Sequence, residues 1–179
     1  WRVILSGDID TIPNWLEELE DSIIYRSKTN LSKDEFGILA GVKSEIFIGS
    51  SSGAAMYNLI NPKIRTLLLA DRHIGWGYIN TVVSYPRLKF TSKQDFREKI
   101  ISCASDFEII KKLYRNNESL CEISENDIFQ ITEEFINNLE NPNYGARPID
   151  LGIKSGPLYD CGSRFSETWL KMIGYNNLI

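Results

Sequence analysis

The chain contains 179 residues, of which 42% are hydrophobic and 25% are charged. This is the composition of an ordinary globular protein that is long enough to bury a core. The formal net charge is −4 and the lysines and arginines are scattered, whereas proteins that bind the phosphate backbone usually present a basic face. The sequence therefore argues against a nucleic-acid partner. It also contains no run of about 20 apolar residues, the length that a membrane-spanning helix needs.

The cysteines and histidine bear on metal sites and on the compartment. Three cysteines lie far apart, no C-x-x-C pair occurs, and His73 is the only histidine. We therefore predict no bound metal and a reducing compartment, the cytoplasm. The chain begins with Trp1 inside a strand-like run, so we interpret it as a portion of a longer chain whose amino-terminal domain lies upstream.

In residues 1–90, short apolar runs alternate with amphipathic helical segments. Ser32 and Glu35 have the spacing of a capping box, and a helix is predicted after them. Strand–helix–strand units at this spacing imply right-handed crossovers and parallel pairing. The sequence therefore predicts an α/β fold, with a Rossmann-like, mostly parallel sheet and helices on both faces. The strand-like runs are Trp1–Ser6, Ser22–Arg26, Glu45–Ile48 and Ile64–Ala70.

Residues 91–179 are predicted to form a helical region that packs on this core. Capping-box spacings begin at Ser92 and Ser124, and amphipathic segments follow both. Glu133 and Glu134 are interpreted as the solvated face of the second helix. The apolar residues predicted to face inward in this region include Phe96, Ile100, Ile131, Phe135, Phe165 and Trp169.

The most informative local motif is Gly49-Ser50-Ser51-Ser52-Gly53, which follows the run EIFI and opens a predicted helix. Backbone N–H groups are exposed at the start of a helix, and the helix dipole favours negative charge there. The glycines allow close approach of a ligand, and the hydroxyls add donors. The motif predicts a phosphate site at the carboxyl end of a strand, where α/β sheets bind ligands. A serine N-cap with a glycine for close packing explains the same residues equally well.

Residues 71–88 interrupt the pattern with two glycines, a proline and several aromatic rings, which predicts a long functional loop. The loop begins with Asp71-Arg72-His73, one crossover from GSSSG, and in a parallel sheet these two strand ends are neighbours. Arg72 is a candidate for a bidentate phosphate contact, and His73 for a donor, acid or base. Trp76 is a candidate for stacking on a base or sugar. The alternative is a solvated loop start whose rings pack on the helical region.

The glycine–serine motif also satisfies G-x-S-x-G, the nucleophile elbow of α/β-hydrolases, with Ser51 as nucleophile. A serine nucleophile needs a histidine that is held by an acid. The only candidate, His73, follows the very next strand, whereas the usual order places an acid next and the histidine last. A serine esterase or peptidase is therefore an alternative function, and a non-catalytic α/β interaction domain is a third.

The segment FGILAGVKSEIFIGSSSGAAMYNLINPKIRTLLLAD resembles the carboxyl-terminal domain of GT-B glycosyltransferases, nearest to a bacterial family of surface-polysaccharide transferases. The later SENDIFQITEEFINNLEN is similar to that family's closing stretch, so the likeness covers roughly Trp1 to Asn141. The residues that match are Asp34, Leu39, Ala40, Lys43, Phe47, Ile48, Gly49, Ser52 and Gly53.

The resemblance implies two facing Rossmann-like domains, with residues 1–90 as the donor-binding core. The implied reaction is transfer of a sugar from a nucleotide-sugar to a glycan or lipid-linked acceptor, without a metal or another cofactor. The catalytic base would belong to the missing amino-terminal domain or to a partner chain. Such enzymes work in the cytoplasm, and a lipid-linked acceptor implies peripheral association with the inner face of the membrane.

The resemblance implies that Ser51, Ser52 and Gly53 contact the diphosphate. Many related transferases place a histidine or an acid beside this turn, whereas here Ala54 and Ala55 follow it, so the motif does not identify its polar partner.

The chemistry of the residues themselves gives the other candidate roles. Arg72 and His73 are the candidates for catalysis. The candidate phosphate ligands are Gly49, Ser50, Ser51, Ser52 and Gly53, and the candidate base or sugar contacts are Asp71, Arg72 and Trp76.

Overall fold

The computed structural model of the protein describes residues 2–5, 22–49, 61, 63–69, 81–84, 87–105, 108, 120–121, 123–154 and 162–179. These residues form a mixed α/β fold. The longer helices are α1 (Lys33–Lys43), α2 (Lys93–Ser105) and α3 (Glu125–Asn137), and a short helix, α4 (Glu167–Met172), lies near the end of the chain.

The strands of the described residues form two parallel sheets and a short antiparallel pair. β1 pairs with β2, and the main sheet has the order β3-β4-β5-β8 with all of its neighbours parallel. β6 pairs with β7 in the antiparallel direction. The strands are β1 (Val3–Leu5), β2 (Ile23–Tyr25), β3 (Ile46–Gly49), β4 (Arg65–Leu69), β5 (Thr81–Ser84), β6 (Arg87–Leu88), β7 (Leu120–Cys121) and β8 (Arg164–Phe165).

The four strands predicted from apolar runs are confirmed, and two other expectations are wrong. The loop predicted over residues 71–88 is wrong for Thr81–Ser84, which pairs with β4 as a central strand of the sheet. Phe165 was expected in a helical stretch, but it lies in β8 and pairs with Val83. The main sheet therefore draws its fourth strand from the segment that was predicted to be helical.

Serine side chains begin the helices. Ser32 and Ser124 form the predicted capping boxes. Each serine hydroxyl accepts a hydrogen bond from the backbone amide of the residue three positions later, and the carboxylate of that residue accepts one from the backbone amide of the serine. At Ser92 only half of the predicted capping box forms. The Ser92 hydroxyl accepts a hydrogen bond from the Asp95 amide, but the Asp95 carboxylate accepts from the amide and hydroxyl of Thr91 rather than from the Ser92 amide.

An aromatic cluster forms the centre of the core. Phe96, Phe165 and Trp169 are fully buried, and the rings of Phe165 and Trp169 stack with their centroids 5.7 Å apart. Phe96 packs edge-on against Phe165 at 6.3 Å, so it joins α2 to the sheet and to α4. Aromatic pairs of this kind add about 0.5–1.5 kcal/mol to the free energy of area burial.

Two arginine side chains connect the turn after α3 to the amino end of the main sheet through hydrogen bonds. Arg65 begins β4 and donates to the carbonyl oxygens of Leu139 and Asn141. Arg164 begins β8 and donates to the carbonyls of Asn143 and Gly145. These carbonyl groups lie in irregular backbone beyond the end of α3, and the guanidinium groups give them charge-assisted hydrogen bonds.

Buried hydroxyls in the sheet lead to a stability prediction. Thr66 and Thr81 are register partners on β4 and β5, both are buried, and neither hydroxyl has a hydrogen bond within the described residues. Thr81→Val removes an unpaired hydroxyl at nearly constant volume, so we expect the free energy of unfolding to stay level or rise by up to about 1 kcal/mol. Urea denaturation measures this.

Ser166→Ala is the matched control for that change. Ser166 is equally buried, but its hydroxyl accepts from the Trp169 amide at the start of α4. Its loss is expected to lower the free energy of unfolding by about 1–2 kcal/mol. A loss of the same size in Thr81→Val would show that the Thr81 hydroxyl does have a partner.

Candidate functional site

The carboxyl ends of β3 and β4 lie side by side. The two strands are parallel, and Gly49 pairs in register with Leu68. This confirms the prediction that the strand before GSSSG and the strand before Asp71-Arg72-His73 are neighbours. Segments that continue from adjacent parallel strands start at the same edge of the sheet, which is the edge where α/β proteins bind ligands.

Most of the predicted site residues lie outside the described residues. Gly49 is the exception, and it ends β3. The roles expected for the others stay predictions. These residues are Ser50, Ser51, Ser52, Gly53, Asp71, Arg72, His73 and Trp76.

Gly49 has a packing role that the structure makes clear. A Cβ atom built on Gly49 would lie 2.9 Å from Cζ of Phe47, which points to the same face of the strand two residues earlier. Gly49 does not have a positive φ angle. An alanine at this position would have to displace the Phe47 ring, so the glycine leaves space for that ring and is not required by a special backbone conformation.

β5 brings a third strand end to the same edge. Ser84 ends β5 and pairs in register with Leu69 at the end of β4. Ser84 is buried, and its hydroxyl has no hydrogen bond within the described residues. Sequence reasoning missed this residue, although three consecutive residues before it, Thr-Val-Val, have high strand propensity. The described residues that end β3, β4 and β5 are all uncharged, so they supply no cation for a phosphate.

A second polar cluster joins α3 to the start of α4. The Glu134 carboxylate accepts from the Ser166 hydroxyl at 2.8 Å and from the Thr168 amide at 3.1 and 3.2 Å. The prediction that Glu134 belongs to a solvated helix face is therefore wrong. Because the Ser166 hydroxyl is fully buried and already caps α4, this serine–carboxylate pair is a structural cap and not an activated nucleophile.

Tyr144 lies close to that cluster and is buried. Burial, and then the negative charge of Glu134, raise the pKa of the Tyr144 hydroxyl well above its ordinary value. Both causes disfavour the phenolate, because it would be poorly solvated and would face a carboxylate. The neutral phenol is thus the form that the folded protein stabilises.

Two further properties concern metals and membranes. In the part of the chain that the structure describes, no group of three or more histidine, cysteine, aspartate or glutamate side chains is placed to hold a metal ion. No helix among the described residues is both long enough and apolar enough to cross a membrane.

Comparison with known proteins identifies no relative. No family model matches the chain, and no curated protein or solved structure is significantly similar to it.

Gly49→Ala tests the packing role of this position. We expect the added methyl group to lower the free energy of unfolding by about 1–2 kcal/mol, because it forces the Phe47 ring to move. In a Phe47→Leu background the same change should cost less than about 0.5 kcal/mol. The difference between the two costs, measured as a double-mutant cycle, isolates the contact. An equal cost in both backgrounds would contradict it.

Tyr144→Phe tests the pH dependence of stability. A raised pKa in the folded state gives stability that is complete below the unfolded pKa of about 10 and is lost as pH rises above it. Between pH 10 and 11.5 we expect the natural protein to lose about 1 kcal/mol per pH unit more than Tyr144→Phe does. Urea denaturation across this range measures the difference, and Tyr175→Phe, at a partly buried tyrosine, should show a smaller one. Parallel curves for natural protein and Tyr144→Phe would contradict the assignment.

Proposed function

We propose that this chain is the donor-binding half of a glycosyltransferase, which holds the phosphates of a nucleotide-sugar where β3 and β4 end. One observation carries the proposal: β3 and β4 are adjacent and parallel, with Gly49 and Leu68 in register. In the sequence, the glycine–serine motif begins with the last residue of β3 and the Asp71-Arg72-His73 segment follows the end of β4, so both come directly after neighbouring strand ends. A site built from two such segments has the location expected for a phosphate ligand in an α/β protein.

The direction of the strands supports the proposal of a Rossmann-like arrangement. All neighbours in the main sheet are parallel, and the small sheet β1-β2 is parallel as well. β1 and β3 line one groove, to which β2 contributes Ile24, and the two sheets share no strand pairing within the described residues. Parallel α/β sheets bind their ligands beyond the carboxyl ends of the strands. Gly49 stands at the carboxyl end of β3.

The proposed chemistry is electrostatic. Because the described ends of β3, β4 and β5 are uncharged, the negative charge of a leaving nucleotide diphosphate would be met by backbone amides after Gly49 and by Arg72. Preorganised amides and a guanidinium stabilise charge that develops in the transition state. The sugar would pass to a glycan or lipid-linked acceptor, and the catalytic base would come from another domain or a partner chain.

Nucleotide binding tests the proposal directly. We expect UDP, GDP or dTDP at 1 mM to raise the melting temperature, because a ligand that binds only the folded state stabilises it. The corresponding nucleosides should give a smaller shift, since they lack the diphosphate. Arg72→Ala should weaken binding about tenfold or more. Arg147→Ala is the matched control, because Arg147 pairs with Asp150 on the surface.

The outcomes separate the proposal from its two alternatives. A fluorophosphonate probe that labels Ser51 would support the serine hydrolase instead. Equal nucleotide shifts in Arg72→Ala and in the natural protein would remove Arg72 from the site. No shift with any nucleoside diphosphate, together with no labelling of Ser51, would favour the non-catalytic interaction domain.

A further inference from the structure

A groove of about 660 Å³ separates β1 from β3. All of β1 borders it, together with β3, one residue of β2, one residue of α3 and the junction between α1 and β3. Its volume lies within the range of small-molecule sites, roughly 300–1,000 Å³. Its described lining residues are Arg2, Val3, Ile4, Leu5, Ile24, Lys43, Ser44, Glu45, Ile46, Ile48 and Ile136.

The lining divides into an aliphatic part and a polar part. Seven of the eleven residues are valine, leucine or isoleucine, and all of these lie within strands or on α3. Val3, Ile48 and Ile136 keep 49%, 37% and 45% of their surface exposed, so the aliphatic part is accessible. The four polar residues precede the strands: Arg2 comes before β1, and residues 43–45 come before β3.

The polar part carries more positive than negative charge. Arg2 and Lys43 are cationic and Glu45 is anionic. Within the described residues, neither Arg2 nor Lys43 forms a side-chain hydrogen bond or an ion pair. Two cations that have no partner in the described part of the chain, against one anion, Glu45, favour an anion that is attached to an apolar chain.

We propose that this groove binds a single-chain amphiphile with an anionic head group. The aliphatic side chains contact the chain, and Arg2 and Lys43 bind the head. Among the described residues of β3, Ile46 and Ile48 line the groove and Gly49 does not, and the argument for this site does not depend on the proposed function.

An extended peptide is the rival occupant, because the outer edges of β1 and β3 have no strand partner within the described residues. Strand addition draws its affinity from main-chain hydrogen bonds. β1 has three residues and β3 has four, so each edge offers only a few such bonds. The accessible surface is instead mainly aliphatic side chain, which favours the amphiphile.

Calorimetric titration with alkyl phosphates tests the proposal. We expect octyl, nonyl and decyl phosphate, each below its micellar concentration, to bind with a stoichiometry of one. Each added methylene should tighten binding about fourfold while the chain still fits in the groove. Decanol should bind more weakly than decyl phosphate because it lacks the anion. An affinity that is independent of chain length would overturn the proposal.

Two matched variants locate the aliphatic part of the site. Ile136→Glu and Phe129→Glu both place a carboxylate at an exposed apolar position of α3, but only Ile136 lines the groove. Ile136→Glu should weaken decyl phosphate binding at least tenfold, whereas Phe129→Glu should leave it within twofold. Equal effects would overturn the location. Urea denaturation of both variants identifies any loss that is due to unfolding.

A double variant tests the head-group contacts. Arg2→Gln with Lys43→Gln should lower the affinity for decyl phosphate to that for decanol and leave decanol binding unchanged. An unchanged preference for the phosphate would remove these two residues from the site. Binding to phosphatidylglycerol vesicles without saturable binding of decyl phosphate would assign a membrane surface instead. If the protein binds the peptide acetyl-Lys-Val-Thr-Val-Thr-Val-amide but not decyl phosphate, the groove is a site of strand addition. Vesicle binding alone and peptide binding alone would each overturn the proposal.

Discussion

The parallel pairing of β3, β4 and β5 is the constraint on which the rest of the structure depends. β4 lies between the other two strands, and its central side chains, Leu67 and Leu68, are buried on opposite faces of the sheet. A strand that is buried on both faces needs cover on both, and α3 packs against it in the described part of the chain. The same pairing brings three strand ends to one edge, where the candidate site lies. Stability and site position thus follow from one set of backbone hydrogen bonds.

The two ends of the main sheet differ in the charge of their residues. At the amino end, Arg65 and Arg164 are the first residues of β4 and β8, and both are used in holding the turn after α3. At the carboxyl end, the described residues Gly49, Leu69 and Ser84 are uncharged. The two arginines of the main sheet therefore form structural hydrogen bonds at the end of the sheet opposite to the candidate site. A phosphate at the carboxyl end would depend on amides and on side chains that follow the strands.

The sequence predicted the fold where local signals were strong. Apolar runs identified β1 to β4, and the Ser32 and Ser124 spacings identified two helix starts. β5 was missed because aromatic, glycine and proline residues around Thr-Val-Val-Ser are typical of a loop, and only pairing with β4 reveals the strand. Phe165 was misassigned since a two-residue strand has no detectable period. In the site, the sequence predicted neighbouring strand ends, but not that the Phe47 ring occupies the space that Gly49 leaves.

β3 belongs to both proposed sites, and this restricts how they can influence each other. Gly49 lies at its carboxyl end, whereas Ile46 and Ile48 line the groove along its outer edge. On its other side β3 is held to β4 over all four of its residues, so an occupant of the groove meets a strand that is already fixed. β1 pairs with β2 and has no strand pairing with the main sheet within the described residues, so strands of two different sheets border the groove. Coupling between two ligands requires that each favours one arrangement of a shared element, and β3 is the described element that the two proposed sites share.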